Sequence, residues 1–229
     1  MNYAERRPLP AATTSPSDTL WITYRWMTLA LAFTGAVAFF VARSPAAMEL
    51  LLGNRILFYV LLFAQLGLVV TFSNVARRVS TPAAALMFFA YAGLTGVTFS
   101  TLLLVYTATS IATTFFVTAG AFAGLSAVGL VTKRDLSAIG RFAIFALVGV
   151  IIASVANIFL VSSSLQWLIT IAGVLLFAGL TAYDTQRLKE LYASGDSTGN
   201  LALVGALTLY LDFINMFLFL LRIFGNRRR

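Results

Sequence analysis

Long apolar stretches separated by short polar segments run through almost the whole chain. Charged residues bound the first two stretches, which cover residues 26–42 and 56–76. An α-helix rises about 1.5 Å per residue and needs about 20 residues to cross a hydrocarbon core of about 30 Å. Each of these two stretches therefore predicts one transmembrane helix.

Two longer uncharged runs are each divided by a polar segment. The run over residues 79–132 would be about 80 Å long as one helix, which is too long for a single crossing. The polar residues 107–110 divide it, and Ser162, Ser163 and Ser164 divide the run over residues 142–183 in the same way. Together with a last apolar run over residues 201–224, the pattern predicts seven transmembrane helices.

The predicted fold class is an all-α integral membrane protein with a seven-helix bundle. Residues 1–20 precede the first span and are rich in polar residues and Pro, which predicts a disordered cytoplasmic tail and not a removable signal peptide. Residues 21–226 form the predicted membrane domain, and residues 227–229 form a basic C-terminal tail.

Composition agrees with a chain whose surface faces lipid. Hydrophobic residues make up 60% of the sequence and charged residues only 10%, with a mean hydropathy of +0.91. A soluble domain carries about 25% charged residues, because its surface must face water. The net charge of +8 comes from short basic groups between apolar runs, so the partner predicted is the lipid bilayer and not nucleic acid.

Whole classes of chemistry are excluded by residue types that the sequence lacks. It contains no Cys and no His, which excludes thiolate nucleophiles, His-containing catalytic triads and His-based metal sites. No GxxxxGK[ST] nucleotide-binding loop occurs, and the only two Lys residues, Lys133 and Lys189, lie in predicted loops. We therefore expect neither an enzyme nor a bound cofactor.

The distribution of Lys and Arg predicts which loops face the cytoplasm, because cytoplasmic loops carry an excess of these residues. With seven crossings, the N-terminal segment and the second, fourth and sixth loops share one side. That side carries Arg6, Arg7, Arg25, Arg77, Arg78, Lys133, Arg134, Arg141, Arg187 and Lys189. We predict a multi-pass protein of the inner (plasma) membrane with a cytoplasmic N-terminus.

The C-terminus can be placed on either side by the sequence. The predicted outer side would carry Arg43 and Arg55 together with the C-terminal arginines Arg222 and 227–229. This basic end argues mildly against an outer location, and a seventh segment that re-enters the membrane would return the C-terminus to the cytoplasm. We favour a full crossing.

Two acidic residues are the main candidates for function, because burying a charge in hydrocarbon costs several kcal/mol. Asp212 lies inside the last span, and Asp184 lies where the sixth span meets its cytoplasmic loop. The two could approach each other near the cytoplasmic end of the bundle and share a proton. Asn215 follows Asp212 on the same helix face and could give polar support. The alternative roles are an interfacial residue for Asp184 and one structural hydrogen bond for Asp212.

Basic and small residues supply further candidates. Arg77 and Arg78 follow the second span on the same side as Asp184, where either could pair with it and latch a pathway shut. The competing interpretation is that both are anchors of the positive-inside type. Gly120 and Gly124 form a GxxxG pattern in the fourth span and are followed by Gly129, which predicts a close helix approach, although glycine is common in such helices.

Several of these segments resemble the Bax inhibitor-1 family, in particular its bacterial members. The resemblance covers about residues 20–226 and is most specific in the last helix. The matching segments are Tyr183-Asp184-Thr185-Gln186, the run from Leu209 to Asn215 with Leu220-Leu221-Arg222, the run from Phe115 to Gly120, and the run from Thr132 to Ser137.

The resemblance implies a fold and a function. The family's fold has six helices around a central seventh, and the family's activity is a pH-sensitive calcium leak. Its proton-sensing pair of aspartates would correspond to Asp184 and Asp212 in this chain. The family's cationic latch has Arg77 or Arg78 as its nearest match. The family often has an acid before Leu-Gly-Leu in the second helix, where this chain has Gln65. We therefore expect at most a weak, transient calcium site at the two aspartates, with calcium as the transported ion.

Two other functions stay open. Some bacterial relatives restrain a membrane-bound ATP-dependent protease, and residues 1–19 are the segment that would contact it. Intramembrane aspartyl proteases carry a Tyr-Asp pair like Tyr183-Asp184, but their second aspartate lies in a Gly-x-Gly-Asp motif. This chain has Leu209-Tyr210-Leu211-Asp212 instead, which makes the protease a remote alternative.

Overall fold

The computed structural model describes residues 15–194 and 200–228 and contains seven helices long and apolar enough to cross a membrane, which confirms the predicted bundle. The helices in this part of the chain are α1 (Pro16–Ala42), α2 (Pro45–Gly53), α3 (Arg55–Val75), α4 (Thr81–Phe99), α5 (Leu102–Val105), α6 (Ala108–Val131), α7 (Ser137–Leu160), α8 (Ser163–Ala193) and α9 (Leu201–Phe224). The short α5 continues α4 after a break, and the two together form the third span.

The polar residues that divide the apolar runs are helix caps. Thr107 accepts a hydrogen bond from the Ser110 amide at the start of α6, and Ser162 accepts one from the Leu165 amide at the start of α8. Such side chains satisfy amides that have no partner within the first turn of a helix. These caps place both chain reversals where the sequence predicted them.

The first helix begins earlier than the sequence predicted. Ser15 and Asp18 form a reciprocal capping box, and Pro16 stands in the first turn, where its missing N–H costs nothing. Helix α1 therefore starts inside the predicted tail, and the boundary at residue 20 is wrong. Residues 1–14, which hold most of the predicted tail, lie outside the described residues.

The C-terminal helix is the centre of the bundle. Fifteen residues of α9 are buried, whereas α3 buries only Phe72 and α7 only Gly140 and Ala143. Helix α9 packs against α1, α6 and α8 and more lightly against α4, while α3 packs on α4 and α7 packs on α8. The central position of the seventh membrane-spanning helix is thus confirmed. Helices α3 and α7 lie at the periphery of the bundle, where they pack on α4 and α8.

Helix α9 crosses the whole bundle. At its start, the Asn200 side chain donates to the carbonyl oxygens of Ala76 and Val79 between α3 and α4, at 2.7 and 2.6 Å. Just past its other end, the Asn226 amide donates to the Ser110 hydroxyl at 3.0 Å, beside the α5–α6 connection. The re-entrant alternative is therefore wrong, and the C-terminal segment lies at the opposite end from the α3–α4 connection.

Close helix approach in α6 occurs at Gly129 and not at the two glycines of the GxxxG pattern. A Cβ atom on Gly120 or Gly124 would meet nothing within 4 Å, because both residues face outward. A Cβ atom on Gly129 would instead collide with the Ala182 carbonyl of α8. The prediction thus identified the correct helix, and of its three glycines Gly129 makes the approach, since spacing alone does not show which face meets a neighbour.

Candidate functional site

The two candidate aspartates lie side by side on the two most buried helices. Asp184 on α8 is 8% exposed and Asp212 on α9 is 4% exposed. Their carboxyl groups face each other closely enough to form a hydrogen bond when one of them carries a proton. The structure therefore brings together the two acids that the sequence singled out, and their role stays a prediction.

Both aspartates lie well inside their helices. Helix α8 continues to Ala193, about 14 Å beyond Asp184, and α9 begins about 16 Å before Asp212. The sequence placed Asp184 where the sixth span meets its cytoplasmic loop, and the structure adds that α8 continues beyond it as a helix. The residues after it are charged but are good helix formers, so the helix continues past the end of the apolar pattern.

One oxygen of the pair has no hydrogen-bond partner. Among the described residues, Oδ2 of Asp212 is buried without a donor in reach. A buried acceptor left unpaired costs about 1 to 3 kcal/mol, and more when it is charged. A proton shared between the two carboxyl groups, or a cation held between them, would satisfy it.

The hydroxyl groups beside Asp184 in sequence are used elsewhere. Thr181 donates to the Phe177 carbonyl at 2.7 Å, and Thr185 donates to the Ser126 hydroxyl of α6 at 3.3 Å. Both threonines are fully buried. Because both hydroxyls donate to other acceptors, they are not available to the carboxylates. The charge of the pair therefore depends on a proton or a cation for compensation.

The cation whose charge reaches Asp184 is Arg187, one turn later on α8. Arg187 is exposed, and sequence reasoning counted it only as a loop charge. The spacing of three residues on one helix was the signal that could have identified it. Arg77 and Arg78 are exposed beside the α3–α4 connection, and the latch role of either stays a prediction.

The Asn215 side chain is half-buried and bonded to its own helix. Its amide nitrogen donates to the Leu211 carbonyl at 2.8 Å. Over residues 15–194 and 200–228, no three His, Cys, Asp or Glu side chains gather as a metal site. The carboxylate ligands that the described residues offer a cation at this site are thus Asp184 and Asp212.

A second buried polar contact, which sequence reasoning missed, fixes α9 near the pair. The Tyr210 hydroxyl lies 2.7 Å from the Thr34 hydroxyl of α1, and Thr34 donates to the Ala92 carbonyl of α4 at 3.0 Å. Tyr210 must then be the donor to Thr34. Because Tyr210 precedes Asp212 by two residues, this contact sets the rotation of α9 and the direction of the carboxylate.

Comparison with known proteins agrees with this architecture. The family model described as "Inhibitor of apoptosis-promoting Bax1" matches residues 18–229. The chain belongs to the Bax inhibitor-1 family. This match includes both helices that carry the aspartate pair.

Similar proteins occur in distant bacteria. The "Inner membrane protein YbhL" of Escherichia coli strain K12 is 50% identical over 210 residues, which cover 90% of each chain. An uncharacterized protein of Deinococcus radiodurans is 46% identical over 209 residues, covering 90% of this chain and 89% of its own. An uncharacterized membrane protein of Streptococcus pyogenes is 38% identical over 181 residues, covering 78% of this chain and 79% of its own.

Proposed function

We propose that this Bax inhibitor-1 family member is a cation leak pathway, with calcium as the main ion, and that protonation of the Asp184–Asp212 pair controls it. The observation that carries the proposal is the pair of facing carboxyl groups buried in the bundle, with one oxygen lacking a partner. Ionisable groups buried inside a membrane bundle destabilise the fold and are characteristic of ion and proton pathways.

Protonation changes what the pair can bind. With one proton shared, the two carboxyl groups satisfy each other and carry a single negative charge between them. When that proton leaves, the two charges repel each other and together attract a divalent cation. A change of pH therefore changes both the occupancy of the site and the force between α8 and α9.

The small number of carboxylates suits transport better than storage. Calcium takes six to eight oxygen ligands, and two aspartates with carbonyl groups and water would hold it loosely. Ion conduction requires a site that binds strongly enough to be entered and weakly enough to be left. A pair of aspartates without a third acid fits that requirement.

The surroundings of Asp212 favour transport over intramembrane proteolysis. Two facing aspartates also form the catalytic centre of aspartyl proteases, where they share a proton. At the two glycine positions of the Gly-x-Gly-Asp motif this chain has Leu209, which is completely buried, and Leu211, which is half-buried. Their side chains fill space that two glycines would leave open for a substrate backbone.

The membrane in which the chain acts follows by similarity. YbhL of Escherichia coli is named an inner membrane protein, and we propose the same location here, with a cytoplasmic N-terminus. Regulation of a membrane protease through residues 1–19 is the alternative function. That segment lies outside the described residues except for its last five, which begin α1.

Flux through purified protein tests the proposal. The protein is reconstituted into liposomes that contain a calcium indicator, and calcium entry is followed at acidic and neutral external pH. We expect entry that exceeds the rate of protein-free liposomes and changes with pH. Entry equal to that of protein-free liposomes at every pH would refute the leak and leave the protease-regulator function as the alternative.

A further inference from the structure

A groove of about 430 Å³ runs between α7 and α8 on the outside of the bundle. Its floor is made of small side chains, including Ala146, Ala153 and Ala172, and its rims are apolar and exposed. The groove is separate from the aspartate pair, because its lining residues come from α7 and from the part of α8 that precedes Asp184.

The groove exists because α7 touches α8 closely at its two ends. At one end, Gly140 packs against the ring of Tyr183. At the other end, the Asn157 side chain donates to the Gln166 side chain at 3.2 Å and accepts from the Ser162 amide at 3.0 Å. Between these contacts the small residues leave an open groove on the outer side of the helix pair, and this groove faces the hydrocarbon of the bilayer.

The shape of the groove fits one extended hydrocarbon chain. It is lined from Ile139 to Ala153 along α7, which is about 21 Å of helix. Every residue of the lining is apolar, and a lipid acyl chain is a slender apolar ligand that can lie along a groove of this length.

Basic residues lie near one end of the groove, although none of them lines it. Lys133, Arg134 and Arg141 are exposed where α6 connects to α7, close to the lining residues Ile139 and Phe142. One acid, Asp135, lies among them and bonds the Ser137 amide at 2.8 Å, so the excess charge stays positive. The first turn of α7 adds the positive end of its dipole at the same place.

We infer that the groove binds one acyl chain of an anionic phospholipid, whose phosphate group contacts Arg141 and the basic residues beside it. The apolar floor would contact the acyl chain of the lipid, and the basic residues at one end would attract its charged headgroup. This site is independent of the proposed ion pathway, since it uses neither Asp184 nor Asp212.

Native mass spectrometry of the detergent-purified protein tests this inference. Phosphatidylglycerol and phosphatidylcholine with identical acyl chains are titrated against wild type and variants. Ala146→Phe and Ala153→Phe each fill the groove, and Arg141→Gln removes a headgroup contact. Val148→Phe is the control, because Val148 is exposed on the same helix but does not line the groove. Circular dichroism and size-exclusion chromatography verify the fold and oligomeric state of each variant.

We expect one tightly bound phosphatidylglycerol per protomer in wild type and in Val148→Phe, and none at the same lipid concentration in either Phe-filled groove. Arg141→Gln should weaken phosphatidylglycerol binding about fivefold, the change expected for one basic residue near an anionic headgroup. Equal binding of both lipids, or unchanged binding in the filled grooves, would overturn the inference. So would a filled groove that changed the oligomeric state, because the occupant would then be a second copy.

Discussion

Asp212 is an acidic side chain placed where water cannot reach it. With 4% of the residue exposed and one oxygen without a partner, its charge must be offset by a proton or a cation. Asp184 faces it and cannot offset the charge unless it is itself protonated. The burial that makes the pair costly for the fold is also the property on which its proposed response to pH and calcium depends.

Arg77 and Arg78, which lie on the predicted cytoplasmic side, give a prediction at the residue scale. If Arg77 or Arg78 holds the pathway closed, replacing the correct one by alanine should raise calcium entry into liposomes at neutral pH. The physical reason is that a cation opposite a carboxylate favours the paired, closed arrangement. Arg43→Ala is a matched control, since Arg43 follows α1 at the other end of the bundle and its guanidinium packs over the Phe39 ring. If both proteins stay as closed as wild type, the two arginines are only membrane anchors.

At this scale, the sequence identified the acids but not their surroundings. Asp184 and Asp212 stand out because charges are rare in apolar runs. Arg187 and the contact between Tyr210 and Thr34 did not stand out, because a loop arginine and a tyrosine in a membrane helix are both ordinary. Their importance depends on which helix faces contact each other, and the hydrophobic pattern of one sequence does not contain that information.

Among the helices, the contact between α6 and α8 depends on a single missing side chain. At Gly129 the two backbones approach so closely that a methyl group would collide with the Ala182 carbonyl. Ala182 is two residues before Asp184, so this contact positions the part of α8 that carries Asp184 relative to α6. A stiff backbone carbonyl cannot move aside as a long side chain can.

This contact gives a prediction about stability. Gly129→Ala should lower the free energy of unfolding by about 1 to 3 kcal/mol, the usual cost of overpacking. Gly124→Ala is the control on the same helix, where a methyl group meets open space, and it should be neutral or stabilising by up to about 1 kcal/mol. Thermal melting of both variants in detergent, followed by tryptophan fluorescence, measures the difference. Equal melting temperatures would contradict the close approach.

Helix ends were predictable where a cap was present and less so elsewhere. Thr107 and Ser162 mark reversals in the sequence and cap helices in the structure. The short helix α2 was not predicted, because its nine residues are too few for a span and were read as part of a loop. Its apolar residues Met48 and Leu51 are buried, which accounts for its stability. The break after α4 also escaped notice, because Ser100 and Thr101 are small and their hydroxyls bond within the helix.

The whole molecule is organised around α9, which is tied down at both ends. The C-terminal segment pairs with the α5–α6 connection, where the Arg228 amide donates to the Val105 carbonyl at 2.9 Å and the Thr107 amide donates to the Asn226 carbonyl at 3.0 Å. Residues 227–229 were predicted to form a basic C-terminal tail. The first two of them keep exposed side chains but pair through their backbone with the α5–α6 connection, because backbone pairing does not depend on side-chain charge.

The topology gives a prediction at the scale of the whole molecule. The native chain has no cysteine, so single substitutions report the side of each loop. In intact spheroplasts, an impermeant thiol reagent should label Val161→Cys and Arg228→Cys, because both lie at the predicted outer end. Arg134→Cys should react only after permeabilisation. Labelling of Arg134→Cys from outside would show that the predicted orientation is wrong. Labelling of Val161→Cys and Arg228→Cys from opposite sides of the membrane would contradict a full crossing by α9.

The central claim is that Asp184 and Asp212 act as one proton-sharing unit. Its test compares wild type, Asp184→Asn, Asp212→Asn and the double variant by calcium flux into liposomes between about pH 5 and about pH 9. Asp135→Asn is the control for loss of a carboxylate. Hydrogen bonds from the Ser137 hydroxyl and amide hold the pKa of Asp135 below its usual range, so it stays ionised across this interval and its removal should leave the pH profile unchanged.

Because a shared proton belongs to the pair, either single substitution should abolish the pH dependence that wild type shows. The double variant should then add little to either single one, as expected for two residues that act as a unit. If both single variants keep the wild-type pH profile, or if their effects simply add in the double variant, the two aspartates do not share a proton and the account is wrong.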